Sequence, residues 1–388
     1  MKVAAIICEY NPFHNGHARQ FSLTRQALGE DTLIVCLMSG NYVQRGAPAI
    51  FDKMCRAEAA LACGADLVLE NPTTNVLRSA EGYAAGGVEI LSKLGGIDYL
   101  SFGTETGSAE QLMQLAALLD TEAFSQALRP HLDAGLSFAV AREKAAEDLG
   151  ADATLLRTPN AILGIEYCKA ILRQRSGIRP LAIERIGDYH ATEMQEQNPS
   201  ATSIRRSILE EAAWNSAVPD AAHKCYQGQT VHTLAAGEQA VLAVLRTLPR
   251  EAFEALPHGS EGLWSRFYRL SREVPGLEEL AEAVKSKRYA RTRIDRMLLC
   301  AYLGISREML EASASYVRVL GFRPTAQKLL RTMRDGGEVG LIHAGDTPDD
   351  RDYFEHEQRW SDLYSFFCGQ ITYGNLKKER PAIFGKIN

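Results

Sequence analysis

The opening of the chain constrains its fold most. An apolar run, Val3 to Ile7, has the length and composition of a buried parallel strand, and VAAIICEY breaks directly into NPFHNGHARQ. Asn11, Pro12, Asn15 and Gly16 are turn residues that leave backbone N–H groups free. A helix starting near Asn15 points its positive end at whatever sits over the turn, and phosphate is the usual occupant. His14 and His17 flank Asn15-Gly16 there, adding side-chain donors that can follow charge developing on phosphorus. The plain alternative is a loop with two surface histidines; the strand before it and the glycine within it argue for the phosphate site.

At 388 residues, 46% of them hydrophobic, the chain is long enough for two domains, each with its own core. As far as about Trp214, strand-like and helix-like segments alternate, which predicts a doubly wound, mostly parallel, Rossmann-like α/β sheet. TLIVCLMSG reads as the second strand, ADLVLENP as the third, IDYLSFGTE as the fourth and PLAIERIG as the fifth. Helices are expected across residues 17–28, 53–63, 82–94, 141–149 and 161–174. From about Ala217 the strand signals fade, and apolar residues recur at helical spacing, as in LEELAEAVKSK and RIDRMLLCAYLG. The expected division is an α/β domain over 1–216 and a mainly α-helical domain over 217–388, with HKCYQGQTVHTLAAGEQ as a weakly structured connector.

No apolar run approaches the ~18–20 residues of a membrane span and no basic-then-apolar leader is seen, so a cytoplasmic protein is expected. The eight cysteines include no C-x-x-C pair. Cys36, Cys55, Cys63 and Cys168 sit in apolar or helical contexts that suit reduced thiols, and no structural metal is expected. A net charge of −5 argues against a globally basic nucleic-acid binder but allows a local basic face.

In open sheets of this type ligands lie beyond the carboxyl ends of the strands. SFGTETG ends the fourth strand with a glycine that lets backbone approach a ligand closely, though a plain turn needs it as much. Asn160, after Pro159 at a helix start, can cap the helix or bind an adenine or ribose edge. Arg185 can bind phosphate or stack on a base, or it can pair with Glu184 or Asp188. SATSIRRSI places Ser200 and Thr202 at a helix N-terminus with Arg205 and Arg206 one turn in, a combination that cradles a triphosphate. Capping accounts for the hydroxyls but not for the twin arginines.

EYNPFHNGH resembles the HxGH signature of the nucleotidyltransferase superfamily. SATSIR resembles its ISSTxIR motif, with Ser200, Thr202, Ile204 and Arg205 on the matching positions and Ala201 replacing the second serine. With GNYVQRGAPAIFDK, GADLVLENP, SFGTE, TPNAILGIEY and KRYARTRIDR in the same order, the chain resembles the bacterial tRNA(Met) cytidine acetate ligase family. The match runs as far as RVLGF; Asn71 stands where a leucine is more usual, and the stretch after Gly336 fits poorly. The resemblance implies that ATP and acetate give acetyl-adenylate, with pyrophosphate released. The acetyl group then passes to the wobble cytidine of elongator tRNA(Met), giving N-acetylcytidine and AMP. It places ATP on Ile7, Cys8, Glu9, Tyr10, Asn11, Pro12, Phe13, His14, Asn15, Gly16, His17, Ala18, Arg19 and Gln20, and on Gly103, Asn160 and Arg185. His14 and His17 are then the transition-state donors, with Ser200, Thr202 and Arg205 at the phosphates. Magnesium is compatible with ATP, although no carboxylate cluster announces a site.

An RNA substrate needs a surface for its backbone. In KSKRYARTRIDR, the cations Lys287, Arg288, Arg291, Arg293 and Arg296 surround Tyr289, so phosphates and a stacked base are both provided for. A helix with a solvated basic face is the ordinary explanation of the same pattern. Lys53 and Arg45 are further candidates for pyrophosphate or RNA contact. Two rival readings stand beside the ligase: a small-molecule adenylyltransferase using the same histidines, and a nucleotide-responsive RNA-binding protein without catalysis.

Overall fold

The computed structural model describes residues 1–185, 200–286 and 288–384. Val3–Cys8 forms β1, and all of its residues are buried. A strand without a polar face is covered on both sides, as central parallel strands are. Its side chains alternate between two cores: Val3, Ala5 and Ile7 join one, and Ala4, Ile6 and Cys8 join the other. The second core includes Phe21 of α1 (Asn15–Leu28) and Cys55 of α2 (Lys53–Ala62). The first includes Val88 of α3 (Ala80–Leu94) and Ile165 of α4 (Pro159–Arg173). Side chains of Asp52 and Ser79 accept main-chain N–H groups at the starts of α2 and α3, which fixes where those helices begin.

On one side β1 pairs in parallel with β2 (Leu33–Ser39), which pairs in parallel with β3 (Leu67–Asn71). On the other it pairs with β4 (Tyr99–Thr104), followed by β5 (Arg179–Glu184), again in parallel. The order β3–β2–β1–β4–β5 is the doubly wound arrangement expected from the sequence. It reverses direction between β1 and β4, where folds of this kind open a crevice.

Beyond Ala217 the chain departs from expectation. Its helices gather around a core that includes Phe253, Phe267, Leu299 and Trp360 and also takes in Tyr42 and Leu77 from the first half of the chain. Tyr316–Phe322 (β6), however, returns to the main sheet and pairs antiparallel with β3, Leu67 opposite Phe322. Two short strands, β7 (Gly340–His343) and β8 (Ala382–Ile383), run parallel to β6. Among the described residues the sheet therefore has eight strands, three of them from the stretch expected to be helical. Buried charge hid the longest of them, β6. Arg318, in the middle of YVRVLGF, marks a surface by its type, yet it is only 1% exposed. It is paired with Glu357 at 2.9 Å and Glu70 at 3.6 Å, which lets the whole of β6 be buried. The connector also carries structure: Asp220–Tyr226 is helical, and Tyr226 stacks on Phe51 with ring centroids 4.7 Å apart. No helix among the described residues is long and apolar enough to cross a membrane, and all eight cysteines are free thiols.

Candidate active site

A cleft of about 380 Å³ opens beyond the carboxyl ends of β1 and β4, at the point where the strand order reverses. It brings together Ile7, Cys8, Glu9, Tyr10, Asn11, His14, Gly16, His17 and Gln20 from the first expected segment with Gly103, Asn160, Arg185, Ser200, Thr202 and Arg205. Pro12, Phe13, Asn15, Ala18 and Arg19 are not among its lining residues. Two of these brace the loop instead: the Phe13 N–H donates to the Tyr226 hydroxyl at 2.9 Å, and the Asn15 amide to the Ser216 carbonyl at 2.8 Å.

The turn NPFHNGH orients both histidine rings. His14 caps α1, its Nδ1 accepting the Gly16 N–H at 3.1 Å, while the His14 N–H donates to Nδ1 of His17 at 3.2 Å. The rings stack, centroids 3.7 Å apart and planes 27° apart. An imidazole whose Nδ1 accepts carries its proton on Nε2, so each ring offers the cleft an Nε2–H donor. Burial, with the charges of Arg185 and Arg205, pushes His14 down to about 3. Burial, with His14 and Arg185, holds His17 well below the usual histidine range. At neutral pH both are therefore uncharged donors, fixed before any ligand arrives.

The facing wall comes from α5 (Ala201–Leu209), β4 and α4. Ser200 caps α5 by accepting the Ser203 N–H at 3.0 Å. Arg205 donates to the Asn11 carbonyl at 2.8 Å and to the Thr202 hydroxyl at 3.1 Å, tying together the two motifs across 194 positions. Arg206 diverges and pairs with Glu210 at 2.8 Å. At Gly103 a Cβ would stand 2.8 Å from Cγ and Cδ of Arg185, so the glycine makes room for that side chain. Asn160 does not cap α4; it lies inside the first turn, its side-chain amide and N–H both donating to Glu105. Glu105 thereby places an anion at the positive end of α4. Of the two partners proposed for Arg185, Asp188 lies outside the described residues.

Several lining residues were not singled out from the sequence. Leu163 and Tyr167 reach the cleft from α4, Tyr83 from α3, and Gln44 from the stretch after β2. Gln44 and Arg45 lie at the tip of a hairpin, Tyr42–Val43 against Ala47–Pro48, and the Gln44 N–H donates to Glu9 at 2.7 Å. Lys53, by contrast, is turned away from phosphate: it is buried and bonds Glu70 at 2.8 Å and Glu379 at 3.2 Å. Desolvation works against its charge, and those two carboxylates outweigh it, so its pKa ends above the ordinary lysine value.

The basic segment behaves differently from expectation. Tyr289 is buried and its hydroxyl donates to the Glu261 carbonyl, so it cannot stack on a base where it stands. Arg291, at the start of α6 (Arg291–Leu303), pairs with Glu278, Glu282 and Asp295. Arg293 pairs with Glu261 and donates to the His258 carbonyl. Arg296 is buried and donates to the Gln44 carbonyl at 3.4 Å, bracing the hairpin instead of facing solvent. Arg288 keeps a side chain 65% exposed, and Lys287 lies outside the described residues.

The family model of the HIGH Nucleotidyl Transferase matches residues 1–379. The tRNA(Met) cytidine acetate ligase of Acetivibrio thermocellus is 34% identical, covering 88% of each chain. That of Clostridium novyi is 36% identical over 88% of this chain and 89% of its own. The crystal structure of Thermotoga maritima TmcAL in an apo form matches with a TM-score of 0.91 at 29% identity, covering 99% of this chain and 100% of that one. The same protein bound with alpha-thio ATP matches with a TM-score of 0.87 at 28% identity and the same coverage. With its paired histidines at the switch point of a doubly wound sheet, the chain belongs to the HIGH nucleotidyl transferase family and, within it, to the tRNA(Met) cytidine acetate ligases.

Proposed function

We propose that this protein is a cytoplasmic, ATP-dependent ligase that activates acetate as acetyl-adenylate and acetylates the wobble cytidine of elongator tRNA(Met). The observation that carries the reading is the pair of neutral Nε2–H donors on His14 and His17, held at the N-terminus of α1 and facing Arg185 and Arg205 across one cleft. Acetate is a poor electrophile because it is an anion, and adenylation removes that charge. A carboxylate oxygen attacks the α-phosphorus of ATP, a P–O bond forms, and the bond to pyrophosphate breaks. Charge gathers on the phosphate oxygens as it does, and donors already in place stabilise it without reorganising.

Glu105 fills the helix end at α4, which directs phosphates toward α1 and α5, where Ser200, Thr202 and Arg205 stand. Asn160, Gly103 and Arg185 are left for the ribose and adenine side. A cleft of about 380 Å³ is within the range that holds a nucleotide-sized ligand. Magnesium enters as the counterion of ATP; among the described residues no group of three or more His, Cys, Asp or Glu side chains is placed to hold a metal.

The test is to incubate the protein with ATP, labelled acetate and bulk tRNA, then digest the RNA to nucleosides. Label in N-acetylcytidine is expected. Transfer of AMP to a small acceptor with unlabelled RNA would instead establish the adenylyltransferase, and nucleotide binding with neither product would establish the non-catalytic binder.

A further inference from the structure

Acetyl transfer needs a group that adenylation does not. The exocyclic amine of cytidine attacks the acetyl carbonyl with its protons still on, and the adduct must shed one before AMP leaves, or the amine departs again. Most of the cleft cannot take that proton. His14 and His17 give Nδ1 to main-chain N–H groups and keep their proton on Nε2. Burial pushes the Cys8 thiol and the hydroxyls of Tyr10, Tyr83 and Tyr167 above their ordinary values, so they stay protonated. The arginines and amides of the cleft are not bases. Among the described residues that line the cleft, Glu9 has the only carboxyl group.

Its placement is built. Glu9 follows the carboxyl end of β1, and the bond from the Gln44 N–H uses one of its two carboxylate oxygens. The Gln44 carbonyl in turn accepts from Arg296, and a Cβ at Gly46 would stand 2.4 Å from the Arg296 nitrogen, so the hairpin tip is pressed against α6. The helical half thus fixes the backbone group that fixes the carboxylate.

We propose that Glu9 is the catalytic base of the transfer step and the group that reads the cytosine amine. The cytidine N4 forms its bond to the acetyl carbonyl carbon, a carboxylate oxygen of Glu9 takes the N4 proton, and the bond from that carbon to the phosphate oxygen breaks to release AMP. Protonated Glu9 then returns its proton to water. A carboxylate accepts from the N4 amine of cytosine and repels the carbonyl that uracil carries there, so one group serves both rate and base choice.

This inference rests on the acetyl-transfer reading above, and the experiment separates the two. Acetate-dependent exchange of labelled pyrophosphate into ATP is measured for the wild type and Glu9→Gln. In parallel, enzyme carrying preformed labelled acetyl-adenylate is mixed with elongator tRNA(Met) in single turnover. The Gln44 N–H can donate to the glutamine carbonyl as it does to Glu9, so the hairpin stays in place. Transfer is expected to fall about a hundredfold or more, while exchange falls far less. Wild-type transfer by Glu9→Gln, or equal loss of exchange and transfer, overturns the assignment. A wild type that shows no acetate-dependent exchange overturns the ligase reading, and the role of Glu9 with it.

Discussion

His14 and His17 hold each other in place: the main-chain N–H of one donates to Nδ1 of the other at 3.2 Å, and the two rings stack. His14 therefore has two separable jobs, capping α1 through Nδ1 and presenting Nε2–H to the cleft. A serine can cap but cannot reach the phosphate. His14→Ser is expected to keep its stability within about 1 kcal/mol of wild type while adenylate formation falls about a hundredfold, and His14→Ala to lose both. Chemical denaturation beside acetate-dependent pyrophosphate exchange measures the two.

The depressed histidines also set an acid limit. A folded-state value of about 3 for His14 lies below the ~6.5 of the unfolded chain. Between those values only the unfolded chain takes up the proton, so the stability contributed by neutral His14 is fully present above about pH 6.5 and drains away toward about pH 3. His17 shifts in the same direction. Thermal melts from pH 7 to 4 should fall less steeply for His14→Ser than for wild type; parallel curves would show that His14 is not held neutral.

Lys53 is structural. Removing one partner of a buried ion pair leaves the other uncompensated, which costs about 3–5 kcal/mol. Lys53→Met should lower stability on that scale by urea unfolding, through Glu70 and Glu379, with little change in the KM for ATP of the folded fraction.

Arg291 and Arg288 should part company in tRNA binding. Arg291 already neutralises Glu278 and Asp295, whereas Arg288 is largely exposed with Glu261 at 3.7 Å. Arg288→Ala is expected to weaken tRNA binding several-fold and reduce the salt dependence by about one counterion, and Arg291→Ala to leave that slope unchanged. Filter binding over a salt series reports both.

Gly103→Ala should raise the KM for ATP several-fold, because the added methyl meets Arg185 at 2.8 Å and displaces the guanidinium. Steady-state kinetics in ATP check this.

The first strand, the turn and α1 were legible in the sequence because every cue to them is local: an apolar run, turn residues, then a helix. Arg205 was legible for the same reason, one turn into a capped helix. What escaped depended on partners far along the chain. Lys53 and Arg296 look like ligand-binding cations in sequence, but Glu379 and the Gln44 carbonyl claim them from 326 and 252 positions away. β6 reads as interrupted by Arg318 until Glu357 neutralises it. Asn160 looks like a cap until Glu105 takes the end of its helix. Gln44 carries no side-chain signal at all, because its main-chain N–H does the holding.

The most direct measurement is the exchange of labelled pyrophosphate into ATP, without RNA, with and without acetate, for the wild type and His17→Ala. Exchange that requires acetate and falls at least about a hundredfold in the variant is expected, since the donors act on the phosphate before any RNA is present. Exchange that needs no acetate, or that persists at the wild-type rate in His17→Ala, would contradict acetate activation by the paired histidines.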